Sequence, residues 1–158
     1  MESADLFFNA LRDGNLEEVS VVIEKKPDVV NSKDKRGSTP LILASYYNHT
    51  SICEELLKKG ADIDAKDASG NTALMGVCFK GFYEIAELLV NNGANVNVKN
   101  NMEATAIIYA VTFNQLGLVK LLVKNGADVR EKDAKGNSAI DHARIQGSNE
   151  MLELLQGD

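Results

Sequence analysis

The chain has 158 residues, of which 44% are apolar, and a net charge of −6. No apolar run is long enough to span a bilayer. Lysines and arginines occur singly or in short groups beside acidic residues, whereas binding of nucleic acid needs a continuous basic track. Length, composition and charge therefore argue against a membrane protein and against a nucleic-acid partner.

The first residues and the cysteines predict the compartment. The acidic start, Met1–Asp5, lacks a basic segment followed by an apolar stretch, so no secretory signal is predicted, although a trimmed secreted or periplasmic chain would look the same. Cys53 and Cys78 are isolated and have no CxxC spacing, which favours a reducing compartment and core packing over a disulfide or a metal site. We therefore expect a cytoplasmic protein without a cofactor.

In chain order, the apolar pattern first predicts two helices, around Leu6–Ala10 and Val19–Ile23. Asp34–Gly37 is then typical of a turn, because glycine adopts the positive φ that other residues resist. Thr39 is placed to cap a helix, and Pro40 suits the first helical position, where no N–H is needed. A third helix is therefore expected directly after Thr39.

The third helix ends near a turn at Asn48-His49, and a fourth follows with apolar residues from Ile52 to Leu57. Gly60 lies where a glycine commonly ends a helix. This succession repeats with a period of 33 residues, which predicts an array of stacked units whose extended surface holds a partner. The two markers of the period are Thr39-Pro40-Leu41, Thr72-Ala73-Leu74, Thr105-Ala106-Ile107 and Ser138-Ala139-Ile140, and Gly60-Ala61-Asp62, Gly93-Ala94-Asn95 and Gly126-Ala127-Asp128.

These markers resemble those of the ankyrin-repeat family. The family pattern of Asp, two variable residues, Gly, one variable residue and Thr-Pro-Leu is met by Asp34 to Leu41, and it recurs with small changes at Asp67 to Leu74 and Asp133 to Ile140. The histidine that usually follows Thr-Pro-Leu is absent. The fourth unit departs furthest from the pattern, with Asn100 for Asp, Glu103 for Gly and Ala106 for Pro. The resemblance covers essentially the whole chain.

The resemblance implies an all-α solenoid of helix-turn-helix units with β-turn fingers. We expect a single domain, residues 1–158, in which residues 1–33 and 133–158 form capping repeats with polar outer faces. Internal repeats are expected at residues 34–66, 67–99 and 100–132. A lysine recurs once per unit, directly before the first residue of each turn. We expect these lysines to form an edge of the stack where they are solvated or paired with acidic residues. The alternative is that they steer an acidic partner toward the fingers. These lysines are Lys66, Lys99 and Lys132.

Catalytic chemistry finds little support in the sequence. Neither His49 nor His142 belongs to a metal-binding spacing. The family often has a histidine at the place of His49, so a structural role is expected there, whereas His142 is expected on the surface or rim of the last unit. We therefore predict no enzyme. A catalytic or ligand-binding protein that uses His49, Cys53 or Cys78 is the weaker alternative.

The resemblance places the contacts with a partner at the finger tips and on the exposed side of each first helix. Four of the nine aromatic residues fall on these helix positions, so an apolar stripe of Tyr46, Tyr47, Phe79 and Phe113 is expected along the concave face, extended by Ile145 and Met102. Exposed apolar stripes generally mark interaction surfaces. The alternative for any single ring is sideways packing against the adjacent repeat.

Charged residues are expected at the rim of this stripe, where Lys35, Arg36, Lys80 and Lys135 would orient the partner. We therefore predict a monomeric, non-catalytic module that binds a folded partner protein on its concave face. The alternative is a stoichiometric inhibitor or immunity-type protein that blocks an enzyme with a finger or an aromatic residue.

Overall fold

A computed structural model describes residues 3–157. Within this range the chain forms ten α-helices and no β-strand. The helices come in five consecutive pairs, with one 3-10 helix, Pro27–Asn31, after the first pair. The α-helices are α1 (Ser3–Asp13), α2 (Leu16–Lys25), α3 (Pro40–Tyr46), α4 (Thr50–Lys58), α5 (Ala73–Lys80), α6 (Tyr83–Asn91), α7 (Ala106–Thr112), α8 (Leu116–Lys124), α9 (Ala139–Gln146) and α10 (Asn149–Gln156).

Three of the first helices, α3, α5 and α9, follow a residue whose side chain caps the helix N-terminus. The Thr39 hydroxyl accepts a hydrogen bond from the Ile42 N–H at 3.1 Å, and Thr72 and Ser138 do the same for α5 and α9. A cap of this kind stabilises a helix by about 1 kcal/mol. Thr105, at the corresponding place before α7, is the exception, because its buried Oγ1 has no hydrogen-bond partner among residues 3–157. The fourth unit therefore starts its helix without the side-chain cap.

The predicted β-turn fingers lie between consecutive helix pairs. In the first finger, the Gly37 N–H donates to the Asp34 carbonyl at 3.0 Å and the Asp34 N–H donates to the Ser38 carbonyl at 2.9 Å. The Asp34 carboxylate also accepts from the Arg36 and Ser38 N–H groups at 2.9 Å. The turns that begin at Asp67, Asn100 and Asp133 repeat these bonds. Each finger is therefore held by the first residue of its turn.

The helix pairs stack in sequence order in two rows. The first helices α1, α3, α5, α7 and α9 form one row, and the second helices form the other row behind it. Neighbouring helices of the first row are packed more closely than those of the second row. Buried residues at the 33-residue period, such as Leu56, Leu89 and Leu122, fill the space between the rows. Burying each such side chain contributes about 1.5–3 kcal/mol.

The lysines that recur once per unit bridge consecutive units. The Lys33 ammonium donates to the Lys66 carbonyl, and the Lys66 ammonium donates to the Lys99 carbonyl, both at 2.9 Å. Lys99 reaches the Lys132 carbonyl at 3.5 Å and pairs with Glu131 at 2.6 Å. The ammonium groups thus lie on the exposed edge expected for them and reach along the stack to backbone carbonyls of the next unit.

The last unit carries an acid-sensitive cap at the start of α9. The Ser138 N–H and hydroxyl both donate to Asp141 Oδ2, at 2.9 and 3.1 Å, while the Asp141 N–H donates to the Ser138 hydroxyl. The backbone N–H of Ser138, followed by its hydroxyl, holds the pKa of Asp141 below its ordinary value of 3.8. Because the folded-state pKa is the lower one, the stabilisation is complete above 3.8 and is lost as the pH falls through the folded-state value.

We therefore expect Asp141→Asn to lower the free energy of unfolding at pH 7, because the amide accepts both hydrogen bonds less strongly than the carboxylate. The difference between the variant and the wild type should shrink as the pH falls below 3.8. Urea unfolding at a series of pH values measures it. A difference that stays constant into the acid range would contradict the proposed contribution of the charged cap.

Candidate functional site

The four rings of the aromatic stripe, Tyr46, Tyr47, Phe79 and Phe113, lie at the C-terminal ends of α3, α5 and α7. Each ring is roughly half-buried, with exposed fractions from 37% for Tyr46 to 47% for Tyr47. Phe79 and Phe113 meet edge to face with their centroids 4.7 Å apart, and Tyr46 and Tyr47 do so at 5.6 Å. Phe79 and Phe113 therefore pack against each other across two units, whereas Tyr46 and Tyr47 meet within one unit, and all four rings remain partly exposed.

Lys80 lies over the stripe. Its ammonium is 5.0 Å from the centroid of the Tyr46 ring and 5.8 Å from that of Phe82. A cation in this position is attracted by the negative face of a ring and holds its orientation. Lys80 therefore connects the aromatic residues of the second and third units, in addition to carrying a charge.

Met102 and Ile145 are more exposed than the rings, at 56% and 72%. Met102 lies at the tip of the third finger, where its carbonyl accepts a hydrogen bond from the Ala134 N–H at 2.9 Å. Ile145 lies on α9, next to Gln146, whose side chain donates to the Thr112 carbonyl at 3.0 Å. Met102 itself, and the residue next to Ile145, thus form hydrogen bonds that link consecutive units.

The remaining predicted charges are exposed at the two ends of the row of fingers. Lys35 and Arg36 lie in the first finger and Lys135 in the last one. Among residues 3–157, none of their side chains forms an ion pair, and neither does that of Lys80. The nearby Asp34 carboxylate is taken by Arg12 at 3.2 Å and by its own turn. These four cations are therefore available to a partner.

The two histidines are both used in internal hydrogen bonds. His49 Nε2 lies 2.7 Å from the carbonyl oxygen of Arg12 and ties the second unit to the first, in the structural role expected for it. The side chain of His142 is partly exposed, at 23%, as a rim position requires. Its Nε2 atom nevertheless lies 2.8 Å from Asp133 Oδ2, so this ring also fixes the last finger to α9.

Both cysteines are buried in the core, where desolvation raises the pKa of each thiol to about 12. For Cys53, the charge of Glu54 contributes to this rise after desolvation. The thiolate, which is the nucleophile, is therefore disfavoured in the folded protein.

We expect both thiols of the native protein to react with a thiol reagent at least about 100-fold more slowly than in urea, because reaction requires opening of the fold. Fast labelling of native Cys53 or Cys78 would contradict this and would favour a reactive role.

Within residues 3–157, no three or more His, Cys, Asp or Glu side chains are grouped as ligands of a metal ion. The same range contains no helix with the length and apolar character needed to cross a membrane.

A comparison with protein families settles the relationship of the chain. The family model of ankyrin repeats, which describes three copies, matches residues 6–100 and 74–158. The chain belongs to the ankyrin-repeat family. No curated protein matches this ankyrin-repeat chain in a sequence search. Ankyrin repeats are generally protein-interaction modules and are typically non-catalytic, which implies a protein partner.

One feature of the ankyrin-repeat surface was not predicted from the sequence. An opening of about 300 Å³, which we call the Gly76 slot, lies between α3, α5 and α7. The helix position of Gly76 is occupied by Leu43 in α3, Tyr109 in α7 and His142 in α9. The missing side chain at this position is the signal in the sequence that could have located the slot. Its lining residues are Tyr46, Asn71, Met75, Gly76, Phe79 and Tyr109.

Proposed function

We propose that this ankyrin-repeat protein binds a folded partner protein on its concave face, with the aromatic stripe as the main contact. The observation that carries the proposal is the row of half-exposed rings on three consecutive units. The core is already filled by residues such as Leu41, Leu74 and Ile107, so the stack does not require these rings for its interior. Large exposed aromatic residues are the side chains that most often anchor protein interfaces.

The fixed orientation of the rings supports the same proposal. Phe79 is held by Phe113, and Tyr46 is held between Tyr47 and Lys80. Binding to rings that are already ordered loses little side-chain entropy, so more of the burial energy is left for affinity. Unpaired Lys35, Arg36 and Lys135 at the ends of the finger row supply charges that orient the partner. In this proposal the binding unit is a monomer.

The test replaces Tyr46, Phe79 and Phe113 together by alanine. We expect the affinity for the partner to fall at least about 100-fold, because interface aromatics typically contribute about 2 kcal/mol or more each. The partner is first captured on immobilised wild-type protein from the native source and identified by mass spectrometry. Its dissociation constant for each variant is then measured by surface plasmon resonance.

A matched control is available on the second-helix row. Leu16, Val21 and Tyr83 are exposed to similar extents, at 39%, 41% and 45%, and lie on α2 and α6. Their joint replacement by alanine is expected to leave the affinity within about threefold of the wild type, since isolated exposed apolar residues carry little binding energy. Unchanged affinity of the stripe variant, or an equal loss in both variants, would sink the proposal.

A further inference from the structure

The Gly76 slot interrupts the aromatic stripe between Tyr46 and Phe79. The fold does not require a glycine at its floor. Gly76 lies inside α5 without a positive φ, and a Cβ atom there would be 3.5 Å from Tyr46 Cδ1, which is an ordinary contact. Glycine is less favourable than alanine in a helix interior. The absent side chain therefore leaves an opening that helix stability alone would close.

The polar groups of the slot are hydrogen-bond donors. Asn100 Nδ2 donates to Asn71 Oδ1 at 2.7 Å and to the Tyr109 hydroxyl oxygen at 2.8 Å. This arrangement leaves the NH2 group of Asn71 and the hydroxyl proton of Tyr109 without an acceptor among residues 3–157. The rest of the lining, formed by Tyr46, Met75 and Phe79, is mainly apolar. A ligand that fits the slot has a short apolar stem and ends in an acceptor.

The charges around the slot favour an anionic acceptor. Lys80 lies over the Tyr46 ring at the edge of the slot. A groove of about 580 Å³ shares Tyr46 with the slot and leads between the first two fingers past Arg36. Asp34 and Asp67 also line this groove, and Arg12 pairs with the Asp34 carboxylate at 3.2 Å. Among residues 3–157, Arg36 and Lys80 form no ion pair, and together they exceed the remaining carboxylate, Asp67, by one charge.

We propose that the Gly76 slot receives an aspartate or glutamate side chain from an acidic segment of the partner. The methylene groups of the side chain contact the Tyr46 and Phe79 rings, and the carboxylate accepts from Tyr109 and Asn71. An apolar side chain fits less well, because it displaces water from the Asn71 NH2 group and the Tyr109 hydroxyl without offering them an acceptor. The inference rests on the proposed function and adds the chemistry of the partner segment to it.

The probe is a phage-displayed library of a small folded domain with one randomised surface loop, selected on the immobilised protein. We expect the selected loops to be enriched in Asp and Glu, and their affinity to fall with added salt, although the protein itself is acidic. Gly76→Leu fills the slot and should weaken these binders at least about tenfold, as expected for loss of a buried anchor. Tyr109→Phe removes one donor to the carboxylate and should weaken them about tenfold as well.

Gly117→Leu is the matched control. Gly117 is also helical and also lies beside a tyrosine of the preceding unit, since a Cβ atom added to it would be 3.6 Å from Tyr83 Cδ2, but it belongs to α8 in the second-helix row. We expect this variant to bind the selected domains as the wild type does. Circular dichroism of all three variants checks that they are folded, and Tyr109→Phe, which keeps the ring, provides the result if Gly76→Leu does not fold.

The outcomes separate the two proposals. Selected loops that are neutral or basic, or acidic loops that bind equally well to Gly76→Leu and Tyr109→Phe, would overturn the slot inference. The proposed function survives that result if the alanine variant of Tyr46, Phe79 and Phe113 no longer binds the loops. Binders that tolerate this alanine variant, or no binders at all, would overturn both proposals.

Discussion

Replacing Gly70 by alanine is expected to lower the free energy of unfolding by about 3–4 kcal/mol, through backbone strain and steric overlap together. Gly70 has a φ of +80°, and an L-residue in this left-handed region costs about 1–2 kcal/mol. Its added Cβ atom would also lie 2.8 Å from the Asn101 backbone nitrogen and 3.1 Å from the Asn100 Cα atom.

The backbone of the third finger, which carries Asn101, has little freedom to move away from that Cβ atom. The Asn101 N–H donates to the Ser69 carbonyl, and its side chain donates to the Ala68 carbonyl, both at 3.0 Å. An alanine at position 70 would therefore break the bonds that join the third and fourth units. In a stack stabilised by contacts between neighbouring units, the damage should loosen this interface first.

Gly93→Ala is the control for backbone strain alone. Gly93 has a φ of +92°, but no atom of the described part of the chain, outside its immediate neighbours, lies within 4 Å of its added Cβ position. This variant should lose only about 1–2 kcal/mol. Urea unfolding measures both variants, and amide hydrogen exchange shows whether Gly70→Ala loosens the contact between units. Equal losses for the two substitutions would show that the close approach to Asn101 costs nothing.

The repeat period predicted most of the fold, because the residues that form it act locally. Thr39 caps α3, and Asp34 holds its own turn, through bonds that span a few residues. The bridges between units could not be predicted in the same way. The sequence left open whether Lys66 is solvated, paired or turned toward a partner, and in the structure its ammonium reaches a carbonyl of the next unit. Which of several nearby acceptors a flexible side chain uses depends on the spacing of the stacked units.

The sequence predicted which positions of the candidate site are exposed. It did not predict how the side chains at these positions pack against one another. The period identified Tyr46, Phe79 and Phe113 as residues that the stack does not need for its core, and they are half-exposed. It did not identify Lys80 as a contact of the Tyr46 ring, or the slot at Gly76. Both features arise from side chains of different units that meet only when α3, α5 and α7 are stacked.

The fourth unit is the clearest case of a departure that tertiary contacts explain. Asn100, in place of the family's Asp, accepts hydrogen bonds from the Met102 and Ala104 N–H groups, as an aspartate would. Its NH2 group also donates to Asn71 of the preceding unit and to Tyr109 of its own α7. A carboxylate has no N–H for these two bonds. In the sequence, Asn100 looks like the loss of the family's Asp. In the structure, it adds a bridge between two units.

Asn100→Ala is accordingly expected to lower the free energy of unfolding by about 3–4 kcal/mol, because it leaves several polar groups without partners where Asn100 is only 7% exposed. Asp67→Ala, at the same position of the preceding turn, removes only two bonds to backbone N–H groups and should cost about half as much. The free energy of unfolding of Asn100→Asp should lie between those of the wild type and Asn100→Ala, because the Asn71 amide has to rotate so that its NH2 group faces the new carboxylate. Urea unfolding of the three variants tests this order. If Asn100→Ala and Asp67→Ala lose the same free energy, the bridge from Asn100 to Asn71 and Tyr109 contributes nothing to the stack.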